Sequence, residues 1–297
     1  MATTRAYVIL VNWNGWADTL ACLESLDRLT YPDATVLVVD NGSTDDSVAR
    51  IRAARPDVRL LQTGANLGFA GGNNIGIRTA LDEGAGYVWL LNNDTVVEPE
   101  ALTALVDALE ADPNAGAAGS KITYFDRPGV LWYAGGDLTP EGPVRHRGID
   151  EPDTGAYDTL EETAFITGCS LLLRASVLEK VGLMRDEYFL YWEETDLDWR
   201  IHAAGHTLLY VPESVVRHKV AASLGEGWGP AQTEYLARNM LHFYRLNRPD
   251  RFARVLRHLV WVGAKHVLRG RWALARATFS GIGLFRRGRF GPIERRA

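Results

Sequence analysis

Four short apolar segments alternate with stretches of helical periodicity in the first part of the chain. The apolar segments span residues 6–11, 35–39, 58–61 and 87–91. The helical stretches span residues 16–29, a segment after Thr44, residues 69–81 and residues 99–109. Strands this apolar belong inside a parallel sheet whose faces are covered by helices. The sequence therefore predicts an α/β fold with a mostly parallel sheet flanked by helices. From Ala115 to about Gly155 the pattern loosens, and we expect loops and short mixed strands there.

Each of the four predicted strands runs into a polar turn. The turns are Asn12–Gly15, Asp40–Ser43, Asn66–Asn74 and Asn92–Asp94. In an open parallel sheet, ligands bind outside the carboxyl ends of the strands, so four such turns predict a binding site. None of them fits the glycine-rich phosphate loop of a Rossmann dehydrogenase or a P-loop enzyme. The acidic turn after the fourth strand favours a divalent cation that holds a diphosphate, because carboxylate and amide oxygens are its preferred ligands.

Four carboxylates lie within six residues in the second part of the chain. They are Glu193, Glu194, Asp196 and Asp198. Apolar residues at helical spacing follow, and Gly205 supplies a stop, so the carboxylates occupy the first turns of a helix. Crowded like charges raise the pKa of at least one of them, as a general base acting near neutral pH would need. The alternative is a solvated, acid-rich helix start.

Length, composition and cysteine content restrict the class of protein further. The chain has 297 residues, 46% hydrophobic and 23% charged, which is typical of a globular protein of one large domain with or without an appendage. Its two cysteines, Cys22 and Cys169, form no CxxC pattern, so a disulfide framework or a cysteine zinc site is not expected. The N-terminus has no signal-peptide pattern, and no apolar run reaches the length of a membrane span. We therefore expect a cytoplasmic protein.

The C-terminal part differs sharply in charge from the rest. Residues 245–297 contain 14 Lys and Arg against two acidic residues, a net charge of +12, whereas the whole chain has a net charge of −5. Apolar residues such as Val255, Leu259 and Trp272 recur there at helical spacing. This pattern predicts a basic amphipathic helix or helix pair that binds an anionic membrane surface. A helical cap with a solvated basic face is the alternative. No nucleic-acid motif is present, so a nucleic-acid partner is not expected.

Five segments resemble the motifs of the family 2 glycosyltransferases, particularly the bacterial rhamnosyltransferase-like branch. They are Val11–Gly15, Val38–Asp45, Asn66–Asn73, Leu91–Thr95 and Trp192–Leu197, in this order within residues 6–218. The resemblance implies a GT-A fold, a nucleotide-diphosphate sugar donor and a divalent metal, Mg²⁺ or Mn²⁺. It also implies direct displacement with inversion at the anomeric carbon.

The same resemblance implies roles for individual residues. The implied nucleotide-binding residues are Val11, Asn12, Asp40, Asn41, Asn66, Asn73, Asn74 and Asn93. The implied metal ligands are Asp94 and His218, and the implied sugar contacts are Gly168, Tyr191 and Trp192. Glu194 takes the position of the catalytic base, with Glu193 as the second choice.

Two positions depart from the family pattern. Asn92 stands where the first acidic residue of the Asp-x-Asp motif is expected, so Asp94 would carry most of the metal binding. Glu194 is one methylene longer than the usual aspartate base.

The predicted organisation is a GT-A domain over residues 1–220 and a basic amphipathic helical region over residues 221–297. Family members that build surface polysaccharide use glycan or polyprenyl-linked acceptors at the inner face of the cell membrane, and this chain is similar to them. A peripheral location on that face is therefore expected, with rhamnose as the suggested sugar. Two alternatives are a sugar nucleotidyltransferase, whose basic glycine-rich loop is missing after the first strand, and a noncatalytic carbohydrate-binding protein.

Overall fold

A computed structural model describes residues 4–220 and 229–293. The strands are β1 (Ala6–Asn12), β2 (Ala34–Asp40), β3 (Arg59–Gln62), β4 (Tyr87–Asn92), β5 (Thr95–Val97), β6 (Ala115–Tyr124), β7 (Leu131–Tyr133), β8 (Gly136–Leu138), β9 (Val144–His146), β10 (Glu161–Glu162), β11 (Ser170–Arg174) and β12 (Thr207–His218). The helices are α1 (Trp16–Leu26), α2 (Ser47–Ala54), α3 (Gly68–Asp82), α4 (Ala101–Ala111), α5 (Ala175–Val181), α6 (Glu193–Ala203), α7 (Pro230–Asn247), α8 (Phe252–Leu268) and α9 (Trp272–Arg286).

Ten of these strands form one mixed sheet in the order β10-β12-β6-β11-β4-β1-β2-β3, with β5 on β12 and β7 on β6. The four strands predicted from the first part of the chain are parallel neighbours, as β4-β1-β2-β3. The strand β11 runs antiparallel to both β4 and β6, whereas β12 runs parallel to β6. The α/β prediction is confirmed, and the antiparallel strands lie in the second part of the sheet.

The two faces of the sheet are covered by different helices. Alternate side chains of β1 point to opposite faces, so that Val8 and Leu10 join one core and Tyr7 and Ile9 join the other. Helices α1, α2 and α4 contribute buried residues to the first core, and α3, α5 and α6 contribute to the second. This three-layer arrangement holds the carboxyl ends of the parallel strands along one edge.

The strand β6 lies where the sequence pattern predicted loops and short strands. All ten of its residues are buried, and it pairs with β11, β12 and β7. Its many small residues do not form the apolar pattern of a strand, so the sequence did not indicate it. Two of them are glycines with no room for a side chain: a Cβ at Gly116 would stand 2.8 Å from Ile201, and one at Gly119 would overlap Ile166. Close packing of neighbouring side chains therefore explains the glycines in this strand.

The C-terminal helices form a third core against the loop that precedes α6. Tyr188 and Trp192 from that loop pack with buried residues of α7, α8 and α9, including Phe243, Val255 and Ile282. The predicted boundary at residue 220 adjoins residues 221–228, which lie outside the described part of the chain. None of the helices in the described ranges combines the length and apolar character that a membrane crossing requires.

Candidate active site

The carboxyl ends of β1 and β2 meet through a buried hydrogen-bond network. Asn12 lies opposite Asp40 in the sheet, and its side-chain Nδ2 donates to Asp40 Oδ1 at 2.9 Å. The same Nδ2 is 3.1 Å from Ser43 Oγ, and Asn12 Oδ1 accepts a hydrogen bond from Thr19 Oγ1. Asn93 also donates to Thr19 Oγ1, at 2.9 Å, so the turns after three strands are joined. The structure thus brings three of the sequence-predicted nucleotide contacts together, Asn12, Asp40 and Asn93, and a fourth, Val11, directly precedes Asn12 on β1.

Asn41 fixes the loop that leads into α3. Its Nδ2 donates to the Gly68 carbonyl at 2.9 Å, and its Oδ1 accepts from the Leu67 N–H at 2.9 Å. Asn66 turns back on the same loop, because its Oδ1 accepts from the Gly68 N–H. The adjacent helical pair is engaged elsewhere: Asn73 donates to the Phe69 carbonyl, and Asn74 bonds both backbone groups of Met184. The contacts of Asn73 and Asn74 support the fold, and their nucleotide role stays a prediction.

Asp94 and His218 form the candidate metal site. His218 Nε2 lies 3.1 Å from Asp94 Oδ1, and its ring packs edge-on against Trp132 with centroids 4.6 Å apart. Burial lowers the pKa of His218, but its contacts with Cys169 and Asp94 outweigh burial and raise it to about 10. Cys169 is buried, and burial raises the pKa of its thiol.

The donor set of this pair fits a divalent cation that is shared with a diphosphate. Neighbouring ligands of an octahedral Mg²⁺ with bonds of ~2.1 Å lie about 3 Å apart, which matches the separation of the two atoms. A metal would have to displace the His218 proton, because only the neutral imidazole is a ligand. Within residues 4–220 and 229–293 no three His, Cys, Asp or Glu side chains converge on one point, so phosphate and water oxygens would complete the coordination.

The segment 165–169 connects this pair to the acidic helix start. The Cys169 carbonyl accepts the Asn92 N–H at 2.9 Å, which ties one end of the segment to β4. A Cβ built on Gly168 would lie 3.8 Å from Glu194 Cβ, and the Ile166 N–H donates to Asp198 Oδ2 at 2.8 Å. A side chain at Gly168 would press on Phe69, so the backbone approaches closely here. The segment therefore links the Asp94–His218 pair to the carboxylates at the start of α6.

The four clustered carboxylates differ in how fully their oxygens are hydrogen-bonded. Helix α6 begins at Glu193, as predicted. Asp196 is fully buried, pairs with Arg200 at 2.8 Å and accepts a hydrogen bond from Asn247 Nδ2. Asp198 accepts the Ile166 N–H already described. The contacts of Asp196 are structural, whereas Asp198 keeps Oδ1 without a hydrogen-bond partner among the described residues, and burial raises its pKa well above the ordinary value. The position of Glu193 and Glu194 in the Trp192–Leu197 segment, rather than burial alone, therefore singles them out for chemistry.

Glu193 and Glu194 each keep one buried oxygen, Oε2, without a hydrogen-bond partner among the described residues. Burial raises the pKa of Glu193 well above its ordinary value, and the neighbouring charge of Glu194 raises it further. Burial also raises the pKa of Glu194, although backbone N–H groups, including those of Gly168 and Trp192, oppose that shift. The upward pKa shift predicted from charge crowding is present, but burial is its larger cause.

The residues before α6 adopt an unusual backbone. Phe189, Tyr191 and Trp192 all lie in the left-handed region, with φ of 66°, 68° and 77°. Strained non-glycine residues cluster at functional sites because the surrounding structure must hold them there. Trp192 is buried against the rings of Phe243 and Tyr244, and Tyr191 is half-buried. Core packing thus accounts for Trp192, and the sugar contacts proposed for both rings stay predictions.

Sequence reasoning missed three features of this site. Trp13 follows Asn12 and its ring is 55% exposed at the carboxyl end of β1. Trp132 packs on His218, as described above. Arg238 and Asn239 are buried polar residues in the middle of α7, and both donate to the Tyr188 carbonyl. An Arg-Asn pair within an otherwise apolar helical stretch was the available signal.

Comparison with known proteins identifies the family. Residues 7–182 match the family model described as glycosyl transferase family 2. An N-acetylglucosaminyl-diphospho-decaprenol L-rhamnosyltransferase of Mycobacterium tuberculosis is 36% identical over 224 residues, which are 68% of this chain and 72% of that protein. The low-salt glycan biosynthesis hexosyltransferase Agl10 of Haloferax volcanii is 28% identical over 195 residues, 65% of this chain and 60% of that protein.

Two solved structures share the fold. The mannosyltransferase PcManGT from Pyrobaculum calidifontis, in complex with GDP-Man and Mn²⁺, has a TM-score of 0.60 and 16% identity, and the match covers 96% of this chain and 88% of that one. GalNAc-T7 with UDP, GalNAc and Mn²⁺ has a TM-score of 0.64 and 16% identity, covering 82% of this chain and 48% of that one. The fold is thus the predicted GT-A fold with C-terminal helices, and the chain belongs to glycosyl transferase family 2.

Proposed function

We propose that this protein transfers a sugar, with inversion, from a nucleotide-diphosphate donor to a lipid-linked glycan acceptor in cell-wall polysaccharide synthesis. The observation that carries the proposal is the pair of buried carboxylates with raised pKa at the start of α6, joined through residues 165–169 to Asp94 and His218. The similarity to the mycobacterial rhamnosyltransferase supports L-rhamnose as the sugar and a polyprenyl-diphosphate-linked N-acetylglucosamine as the acceptor.

Glu194 is the base in this mechanism. Its carboxylate accepts the proton of the acceptor hydroxyl as that oxygen forms a bond to the anomeric carbon. The bond from the anomeric carbon to the diphosphate breaks on the opposite side, and the nucleoside diphosphate leaves with the electron pair. The raised pKa of Glu194 brings it closer to neutral pH, where proton transfer is most efficient.

Asp94 and His218 would hold Mg²⁺ or Mn²⁺ at the donor diphosphate. When bound, the ion neutralises the charge that develops on the leaving group. Asn12, Asp40, Asn41, Asn66 and Asn93 would bind the nucleotide, because they line the carboxyl ends of the parallel strands.

The hairpin of α8 and α9 is the proposed membrane contact. Three large apolar side chains near its turn are strongly exposed: Trp261 by 56%, Leu268 by 87% and Trp272 by 67%. Lys265, Arg269 and Arg271 flank them in the sequence. Apolar side chains beside cations fit the interface of an anionic membrane. A peripheral location at the inner face would bring the active site to a lipid-linked acceptor.

We also propose that residues 1–220 form the GT-A domain and residues 221–297 the helical membrane-binding region. The buried side chains shared by α7, α8 and Trp192 support a helical region that is packed on the catalytic domain. Removal of residues 250–297 would uncover this core, so point substitutions in the hairpin are the better test of membrane binding.

The experiment that tests the function is a donor and acceptor panel. The full-length protein is incubated with several nucleotide-diphosphate sugars, with and without a polyprenyl-diphosphate-linked N-acetylglucosamine, and released nucleoside diphosphate is measured. Acceptor-dependent release with one donor is expected. A sugar nucleotidyltransferase would instead release pyrophosphate from a nucleoside triphosphate, and a noncatalytic carbohydrate-binding protein would release nothing.

A further inference from the structure

Asn239 of α7 caps three carbonyl groups of the loop before α6. Its Nδ2 lies 2.9 Å from the Tyr188 oxygen, 2.8 Å from the Leu190 oxygen and 2.9 Å from the Tyr191 oxygen. The side chain is fully buried. The amide nitrogen carries two hydrogens, so at least one of them is shared between two of these carbonyls. Together the three contacts hold a four-residue span of backbone around one side chain.

Arg238 reinforces the same contact from the next position of the helix. Its Nε donates to Asn239 Oδ1 at 2.8 Å, which orients the amide, and its Nη2 donates to the Tyr188 carbonyl at 3.0 Å. Its Nη1 donates to the Gly291 carbonyl at 2.7 Å, beyond α9. Arg238 is 1% exposed and forms no ion pair with a carboxylate among the described residues. Burial of such a cation is unfavourable unless hydrogen bonds offset the cost of removing it from water. Here the hydrogen-bond acceptors are the Asn239 side chain and two backbone carbonyls.

The loop that Asn239 and Arg238 contact, residues 188–192, has a strained backbone. Tyr191 and Trp192 have left-handed φ angles, and their conformation must be stabilised from outside because non-glycine residues disfavour it. Trp192 is the N-cap residue of α6, and its carbonyl accepts the Asp196 N–H at 2.9 Å in the first turn of that helix. Asn239 thus acts on the backbone that leads directly into the base, from a position 45 residues further along the chain.

We propose that Asn239, oriented by Arg238, is a positioning residue that holds residues 188–192 in the conformation that aims Glu194 at the acceptor hydroxyl. The proposal rests on the proposed role of Glu194 as base. It also assigns a catalytic purpose to α7, since the helical region that follows the GT-A domain sets the geometry of the base.

The test compares Asn239→Ala with a matched control on the same helix. Tyr244→Phe removes one buried hydrogen bond from α7, the one that Tyr244 donates to the Gly142 carbonyl at 3.0 Å. It keeps the ring that packs on Trp192 and removes no hydrogen bond to residues 188–192. Thermal midpoint, donor dissociation constant, acceptor KM and kcat are measured for both full-length variants. Asn239→Ala is expected to lower kcat about 100-fold with a donor dissociation constant within about twofold of wild type, because a misplaced reacting group costs about that much.

Tyr244→Phe is expected to lower the thermal midpoint with kcat within about twofold of wild type. Equal kcat losses in both variants, or a kcat for Asn239→Ala within about threefold of wild type, would overturn the proposal. Should Asn239→Ala fail to fold, Asn239→Asp replaces it, because it keeps the shape and the Arg238 contact but removes the amide donors; the same kcat criteria then apply.

Glu194→Gln separates this proposal from the one on which it rests. An inactive Glu194→Gln with a fully active Asn239→Ala leaves the base in place and overturns only the positioning role. An active Glu194→Gln overturns the base and the positioning role together.

Discussion

Gly68 lies where the loop that leads into α3 touches the loop before α6, and its substitution by alanine should disturb both loops. Gly68 has φ of +74°, and a Cβ there would overlap the Phe189 carbonyl oxygen and stand 2.6 Å from Phe189 Cδ2. The same carbonyl accepts the Phe69 N–H at 2.7 Å. Relief of the overlap requires the two loops to separate, which breaks that hydrogen bond.

Gly64 provides a matched control in the same loop. It has φ of +77°, and no atom lies within 4 Å of a Cβ added there. Gly64→Ala therefore carries the left-handed backbone penalty alone, about 1 kcal/mol. Gly68→Ala adds overpacking of ~1–3 kcal/mol and a lost hydrogen bond of about 1 kcal/mol, so we expect it to be at least ~2 kcal/mol less stable than Gly64→Ala.

Urea unfolding of both variants measures this difference through their midpoints at unchanged slope. Transfer assays should show near-normal kcat for Gly64→Ala and a kcat reduced by at least tenfold for Gly68→Ala, because misplacement of the loop before α6 disturbs Glu194. Equal urea midpoints for the two variants would refute the reasoning, since the contact with Phe189 would then cost nothing.

Three further outcomes are expected. Asp94→Ala should abolish the Mn²⁺ dependence of nucleoside-diphosphate binding measured by titration calorimetry with and without EDTA; unchanged affinity and metal dependence would exclude Asp94 as a ligand. The double substitution Trp261→Ser and Trp272→Ser should lower binding to phosphatidylglycerol vesicles at low salt at least tenfold, whereas the control Trp13→Ser should not. Equal sedimentation of wild type, the double variant and Trp13→Ser with the vesicles would exclude docking through the α8–α9 hairpin. Glu193→Gln should raise the urea midpoint at neutral pH. Burial raises the folded-state pKa of Glu193, so wild type loses stability as the pH rises from the ordinary carboxyl pKa of 4.5 through that folded-state value, and the variant does not. The advantage of the variant should vanish as the pH falls toward 4.5, and a variant less stable than wild type at every pH would contradict this.

The parts of the site that sequence predicted are those set by local pattern. The strands β1, β2 and β4 are largely apolar and end in Asn or Asp, so their existence and their polar ends follow from hydrophobic burial and turn chemistry. The edge strand β3 is shorter and partly exposed. The start of α6 at Glu193 is likewise set by neighbouring residues.

The parts that sequence did not predict depend on partners far along the chain. Asp196 is structural because Asn247 and Arg200 reach it, and the acidic cluster alone gives no sign of that difference from Glu194. Trp192 looks like a sugar platform in sequence but is enclosed by Phe243, which arrives from a helix some fifty residues later. Tertiary packing, which periodicity does not encode, decides these assignments.

The central claim is that Glu194 is the base of an inverting sugar transfer. The most direct measurement is single-turnover transfer from the identified donor to a lipid-linked acceptor by wild type, Glu194→Gln and Glu193→Gln, with donor affinity measured in parallel. We expect Glu194→Gln to lose ~10²–10⁴-fold in transfer rate, about 3–5 kcal/mol of barrier, with donor affinity within twofold of wild type. A Glu194→Gln rate above about a tenth of wild type would contradict the claim, and a simultaneous loss in Glu193→Gln would assign the base to Glu193 instead.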